Sequence, residues 1–176
     1  HLITYGYGES SEAAPEEAPY ILHRAARVDA GLRAGQTLFK PAADAALLYT
    51  AQRVIKAHHC DLIHAHSVEG LGLGALLKLQ TGLPLVYHAH NAMGPELPTY
   101  FARELMQAFA SFVGDVLDRT LPKSADAVVV FDGDHKALHE VYGVSPERIL
   151  VIPPGLDEHM LSPSDGTNSL RAELGE

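Results

Sequence analysis

The sequence predicts an α/β fold, a parallel sheet with helices on both faces. Three observations carry the prediction. Short apolar runs (DLIHA, LVYHA, ADAVVVF) alternate with segments of helical periodicity, the mark of repeated βαβ units. ADAVVVF is apolar and β-branched along its whole length, as a strand buried on both faces requires. Turn-forming residues punctuate the runs, with Gly82 and Pro84 before one strand and Gly143 before another.

Taken in order, HLITY opens the chain as a strand. GESSEAAPEEAP, acidic and rich in Ala and Pro, reads as an exposed loop, and Tyr20 to Ala25 as a second strand. Beyond AGLRAGQ (Ala30 to Gln36), residues Leu47, Leu48, Ala51, Val54 and Ile55 form one apolar stripe at 3.6-residue spacing, a helix. DLIHA is the next strand, followed by a helix of small residues from Glu69 to Gln80 and by the strand LVYHA. One long amphipathic helix then carries Leu97, Phe101, Leu105, Phe109, Phe112, Val116 and Leu117, and Pro122 closes it. ADAVVVF is a strand, Asp134 to Tyr142 a short helix ending at Gly143, and ILVI the last strand. Past Asp157 the pattern thins into SPSDGTN, and SLRAELGE begins another helix. Residues 1–161 therefore read as one domain, and 162–176 as a linker and the start of a second. The chain begins at His1 inside a strand-like run, which reads as a chain with sequence upstream.

Composition narrows the function. A net charge of −9 excludes a protein that works by broad attraction to nucleic-acid phosphates. Cys60 is the single cysteine and makes no internal disulfide. No apolar run reaches the roughly 18–20 residues of a membrane span.

Of the 11 histidines, four form two His-x-His pairs, His64 with His66 and His88 with His90. Alternation along a strand puts both members of a pair on one face. Both pairs sit at the carboxyl ends of expected parallel strands, where open α/β sheets place their ligands. His66 and His90, nearest the strand ends, read as site residues; His64 and His88 read equally well as buried histidines bonded to backbone. Two such pairs with Cys60 could supply zinc ligands. Against this, the pairs fall on different strands, no carboxylate pattern of a hydrolase accompanies them, and Cys60 lies at the far end of its strand. No metal is the expectation. Gly70-Leu71-Gly72-Leu73-Gly74-Ala75 fits a dinucleotide fingerprint in form only. Its next strand ends in His90-Asn91 rather than in an acidic residue, so the small residues are expected to seat a helix close to the sheet. Asp132 before Gly133-Asp134 reads as a helix cap.

DLIHAHS (Asp61 to Ser67), PLVYHAHN (Pro84 to Asn91), SADAVVV and ERILVIPPGLD, in this order and spacing, resemble the family-four glycosyltransferases of the two-Rossmann-domain (GT-B) type. The resemblance is specific over 61–161. It implies a Rossmann-like N-terminal, acceptor-side domain of an enzyme that moves a sugar from a nucleotide-diphospho-sugar to an acceptor hydroxyl. Retention of configuration and the absence of a metal or other cofactor are implied with it. Matched by position, His90 is the catalytic histidine at the reaction centre, and His66 and Ser67 line the cleft at the preceding strand end. Glu69 lies where the following loop reaches the cleft, and Asn91 stands where relatives often carry Asp. Gly155 and Asp157 match the domain-junction motif.

The implied partners are a sugar or lipid-linked sugar acceptor and a nucleotide-sugar donor gripped by a second domain, with no nucleic acid. The implied location is cytoplasmic, with room for peripheral association of the longer protein at the inner face of the cell membrane. The family's first strand, its glycine-rich loop and its donor domain have no counterpart in the sequence, so the chain alone is expected to be inactive. Two other readings stay open: a metal-free sugar-phosphate or nucleotide-sugar epimerase with Glu69 or Glu96 as its acid, and a non-catalytic binding domain.

Overall fold

Six short strands in two parallel sheets carry the computed structural model of the chain, which describes residues 1–6, 19–28 and 40–155. β1 (Leu2–Thr4) pairs with β2 (Leu22–Arg24). β3 (Ile63–His66), β4 (Leu85–His88), β5 (Ala127–Val130) and β6 (Ile149–Val151) form the larger sheet in that order. In the larger sheet every pairing is parallel, so each successive pair needs a crossover, and helices supply it. They are α1 (Lys40–His58), α2 (Ser67–Thr81), α3 (Met93–Glu96), α4 (Glu104–Thr120) and α5 (Gly133–Val141). The strands and helices expected from periodicity over the described residues are present, except that one long helix is divided. The acidic loop over 9–17, AGLRAGQ and the tail beyond Gly155 lie outside the described residues.

One face of the larger sheet is apolar. Ile63 and Ala65 of β3, Leu85 and Tyr87 of β4 and Val128 and Val130 of β5 pack with Leu71 and Leu77 of α2 into a single core. The small residues of α2 set the spacing, as expected. A methyl group on Gly74 would stand 2.8 Å from Leu85 Cδ1 and 3.3 Å from Ala65 Cβ. These glycines lie inside the helix rather than in a loop ahead of it, so they do not form a phosphate-binding turn. Gly82 caps α2 with φ at 74°, its N–H donating to the Lys78 carbonyl at 2.8 Å. Asp132 caps α5, its Oδ1 accepting from the His135 N–H at 2.8 Å.

The long helix expected over Leu97 to Leu117 is divided. α3 passes into a 3-10 turn at Leu97–Tyr100, and Phe101 (φ −118°, ψ 138°) and Arg103 (φ −99°, ψ 130°) are extended before α4 starts. Pro98 lacks the N–H that a continuing α-helix would use and takes the first turn of the 3-10 segment instead. The buried side of α4 is also not its apolar stripe. Ala110, Gly114 and Asp118 face inward, while Leu105, Phe109 and Phe112 are 82%, 63% and 65% exposed. Close approach of α3 chooses that side: a methyl group on Gly114 would overlap the Met93 carbonyl and lie 2.6 Å from the Gly94 nitrogen.

Two glycine substitutions should therefore act with opposite sign. Gly72, inside α2, has open space around its missing side chain. Gly72→Ala should gain about 0.5–1 kcal/mol of helix propensity. Gly114→Ala gains the same propensity but forces backbone apart, and should lose about 1–2 kcal/mol net. Thermal melts check both, as shifts of about 2–4 °C per kcal/mol in a chain of this size. Equal shifts in the two variants would mean that α3 yields freely.

Candidate active site

The strand pleat puts the four paired histidines on the face opposite the core. Ile63 and Ala65 turn toward α2, so His64 and His66 turn away; Leu85, Tyr87 and Ala89 are buried, so His88 and His90 share the histidine side. β3 and β4 are neighbours in parallel register with His66 opposite His88, which merges the two pairs into one cluster. Ring centroids are 4.6 Å apart for His64–His66, 4.9 Å for His66–His88 and 4.8 Å for His88–His90. His66 Nδ1 and His90 Nε2 share a hydrogen bond of 3.1 Å at the carboxyl edge. Phe131, the residue just past β5, closes the far side, 5.1 Å from His88 and 5.3 Å from His90.

Burial, reinforced at His66 and His88 by the neighbouring imidazoles, lowers the pKa of His64, His66 and His88. The rings therefore stay neutral at pH 7. His64 and His66 are exposed and His88 and His90 half-buried, so all four lie within reach of solvent rather than sealed in backbone hydrogen bonds.

Ser67 follows directly, exposed at the start of α2, with its backbone in the left-handed region at φ 59°. Glu69 accepts a 2.8 Å salt bridge from Lys40 Nζ at the start of α1. Burial alone would raise the Glu69 pKa; its bonds to Lys40 and to backbone outweigh burial and hold it below the usual range. His66, Ser67, Glu69 and Lys40 line one part of a cavity of about 590 Å³ between β1 and β3. Asn91 is exposed just past β4, at the same sheet edge as Ser67.

The loop carrying His90 and Asn91 is fixed at both ends. Ala89 N–H donates to the Val129 carbonyl at 2.9 Å. Two residues past Asn91, Met93 N–H donates to Asp118 Oδ1 at 3.0 Å and Gly94 N–H to Asp118 Oδ2 at 2.9 Å. Asp118 is only 3% exposed. It supplies from α4 the cap that α3 lacks among its own side chains.

Five of the expected site residues (His66, Ser67, Glu69, His90 and Asn91) thus gather at one edge. Of the junction pair, Gly155 is exposed after β6, and Asp157 lies outside the described residues. Of the two carboxylates named for an epimerase, Glu69 is held by Lys40 and Glu96 accepts from Tyr100 Oη at 2.6 Å. Lys40, Asp118 and Phe131 were not anticipated. Phe131 alone left a signal, as the residue ending the strand after the histidine strands. Among the described residues, two groups have ring nitrogens within 4.8 Å of one another: His64, His66 and His88, and, at the other end of the sheets, His1, His23 and His58. Cys60 belongs to neither group.

A parallel, helix-flanked sheet with polar rings presented together at its carboxyl edge is a Rossmann-like architecture. The chain belongs to glycosyltransferase family 4, whose sequence model matches residues 1–159. It is 26% identical over 132 residues to a D-inositol 3-phosphate glycosyltransferase of Kineococcus radiotolerans, covering 74% of this chain and 29% of that one. The protein of the same description from Streptomyces scabiei is 26% identical over 165 residues, covering 91% and 36%. The chain spans about a third of the length of these curated relatives.

Among solved structures, Anabaena HepE in complex with UDP-glucose is similar with 30% identity and a TM-score of 0.50, over 80% of this chain and 34% of HepE. A sucrose-phosphate synthase structure from Thermosynechococcus elongatus matches 100% of the chain and 87% of its own, with a TM-score of 0.59 at 13% identity, a likeness of fold. The parallel α/β architecture and the glycosyltransferase resemblance of the sequence are both borne out.

Proposed function

We propose that this chain is the N-terminal, acceptor-side domain of a glycosyltransferase that moves a sugar from a nucleoside-diphosphate sugar to an acceptor hydroxyl, with retention of configuration and without a resident metal or cofactor. The observation that carries this reading is the meeting of His66 and His90, bonded at 3.1 Å, at the carboxyl edge of adjacent parallel strands. Glycosyl transfer builds positive charge on the sugar ring and negative charge on the departing diphosphate. Preorganised dipoles in a dry cleft stabilise that separation.

In this reading His90 faces the reacting sugar, and His66, Ser67, Glu69 and Asn91 line the acceptor side. Strand ends hold such groups rigidly, so an acceptor hydroxyl can be kept near the anomeric carbon. The donor diphosphate belongs to a second domain, joined through Gly155 and Asp157, whose closure excludes water. UDP-glucose, present in the HepE structure, is the first donor to try. The relatives' description adds a phosphorylated inositol to sugars and lipid-linked sugars as acceptors. The work is assigned to the cytoplasm, with peripheral membrane association of the longer protein; among the described residues no helix is long and apolar enough to cross a membrane.

The test compares the 176-residue chain with the longer protein carrying both halves, each given labelled nucleotide sugars and an acceptor panel. Transfer by the longer protein only is expected. Robust turnover by the chain alone would overturn the division of labour, and a longer protein that transfers no sugar to any acceptor would overturn the reading as a whole.

A further inference from the structure

We propose that the apolar stripe of α4 is the seam of a two-fold dimer, in which a second copy of this chain lays its own α4 antiparallel against the first. Leu105, Phe109, Phe112 and Val116 succeed one another at steps of four, three and four residues. That is the a/d spacing of helices that pack along their length. Ala110, Gly114 and Asp118 occupy the opposite side of α4 and are buried, so the stripe points out of the domain with all four side chains exposed. Met106, exposed beside them, widens it.

Size and charge select the occupant. A phenylalanine buries roughly 150–250 Å², so two that are mostly exposed, with Leu105, Met106 and Val116, make a patch on the order of 500 Å². Isolated apolar residues on a surface are ordinary, whereas a contiguous patch of about this size marks an interaction site. Two such patches face to face reach the roughly 1,000 Å² at which specific interfaces begin. A lipid surface suits α4 poorly. Helices that lie on membranes carry Lys and Arg on their polar face, but α4 sets Glu104, Asp115 and Asp118 against Arg119 alone. An antiparallel dyad places Phe109 against Phe112 of the second copy, and Leu105 against Val116 of the second copy. The same dyad brings Arg119, stacked over the Tyr142 ring at 5.0 Å, to the end of the seam where Glu104 of the second copy stands. A parallel pair would instead set Glu104 beside Glu104 and Arg119 beside Arg119. The seam is therefore complementary to itself, as an isologous two-fold contact requires. It lies opposite the Asp118 face that anchors Met93 and Gly94, and it does not depend on the sugar-transfer reading.

The test is sedimentation velocity of the tag-free 176-residue chain and of the longer protein, each over a dilution series. Both should show a two-copy mass that dissociates on dilution. Phe109→Glu and Phe112→Lys should each weaken association by about 30-fold or more, the loss of a central aromatic anchor. Both changes fall on exposed side chains, so circular dichroism and melting of the dilute protein should match the parent. Mixing the two variants should restore a dimer, because the antiparallel register brings the introduced charges of opposite sign together. A fault in folding would not be repaired by mixing. A one-copy parent, a two-copy mass indifferent to both variants, or a mixture that stays at one copy would overturn the proposal. So would a dimer of the chain that the longer protein does not form, which would give the stripe to the second domain. A one-copy parent that sediments with phosphatidylserine vesicles would give it to a lipid surface, with the same consequence.

Discussion

His90→Ala in the longer, two-domain protein should lower kcat and kcat/KM together by about 100- to 1000-fold, roughly 3–4 kcal/mol. His90 lies in the anchored loop just past β4, is bonded to His66 at 3.1 Å and is braced by the Phe131 ring at 5.3 Å. Removing the imidazole therefore deletes one preorganised dipole without disturbing the core. A loss confined to KM would instead assign His90 to uniform binding of substrate. His58→Ala is the control. His58 ends α1, in the separate cluster with His1 and His23, and its loss should leave turnover unchanged. Matched thermal melts separate chemistry from stability. Near-normal kinetics in a folded His90→Ala enzyme would remove this residue from the reaction centre.

Asp118→Ala should lower the stability of the domain by about 3–6 kcal/mol. Both carboxylate oxygens accept backbone N–H groups, from Met93 and Gly94, in a nearly dry setting. Hydrogen bonds to charged groups contribute about 1.5–3 kcal/mol each, and stranded donors add their own desolvation cost. Asp118→Asn should rescue little, because its amide nitrogen would set a donor against a donor. The loss is read as a fall in Tm of about 2–4 °C per kcal/mol. In the longer protein kcat should fall too, since the Met93–Gly94 anchor holds the loop that carries His90. An Asp118→Ala domain melting with the parent would show that water satisfies those amides equally well.

These two residues also mark the limits of what the sequence discloses. The place of His90 at the carboxyl edge was legible because strand periodicity fixes the face of every second residue and βαβ order fixes which strand ends share an edge. That the two His-x-His pairs form one cluster was not legible, since strand order and register are tertiary facts. Asp118 reads locally as an ordinary solvated charge on an amphipathic helix. Only the crossing of α3 over Gly114 buries it. The same crossing explains why the stripe of Leu105, Phe109 and Phe112, found correctly by its period, faces outward: periodicity tells which residues share a face, not which face is covered. The Lys40–Glu69 pair joins residues 29 apart in sequence, a spacing that no local rule connects.

Ser67 keeps a side chain on backbone at φ 59°, where any residue but glycine is strained by roughly 1–2 kcal/mol. Glycine would relax that strain, yet it would also strip a hydroxyl from the rim where His66 and His90 meet. Protein engineers working on this domain would thus face opposing demands at one residue, heat tolerance favouring glycine and, on the proposed reading of the site, turnover favouring serine. Melting temperature is then a poor proxy for fitness at this edge.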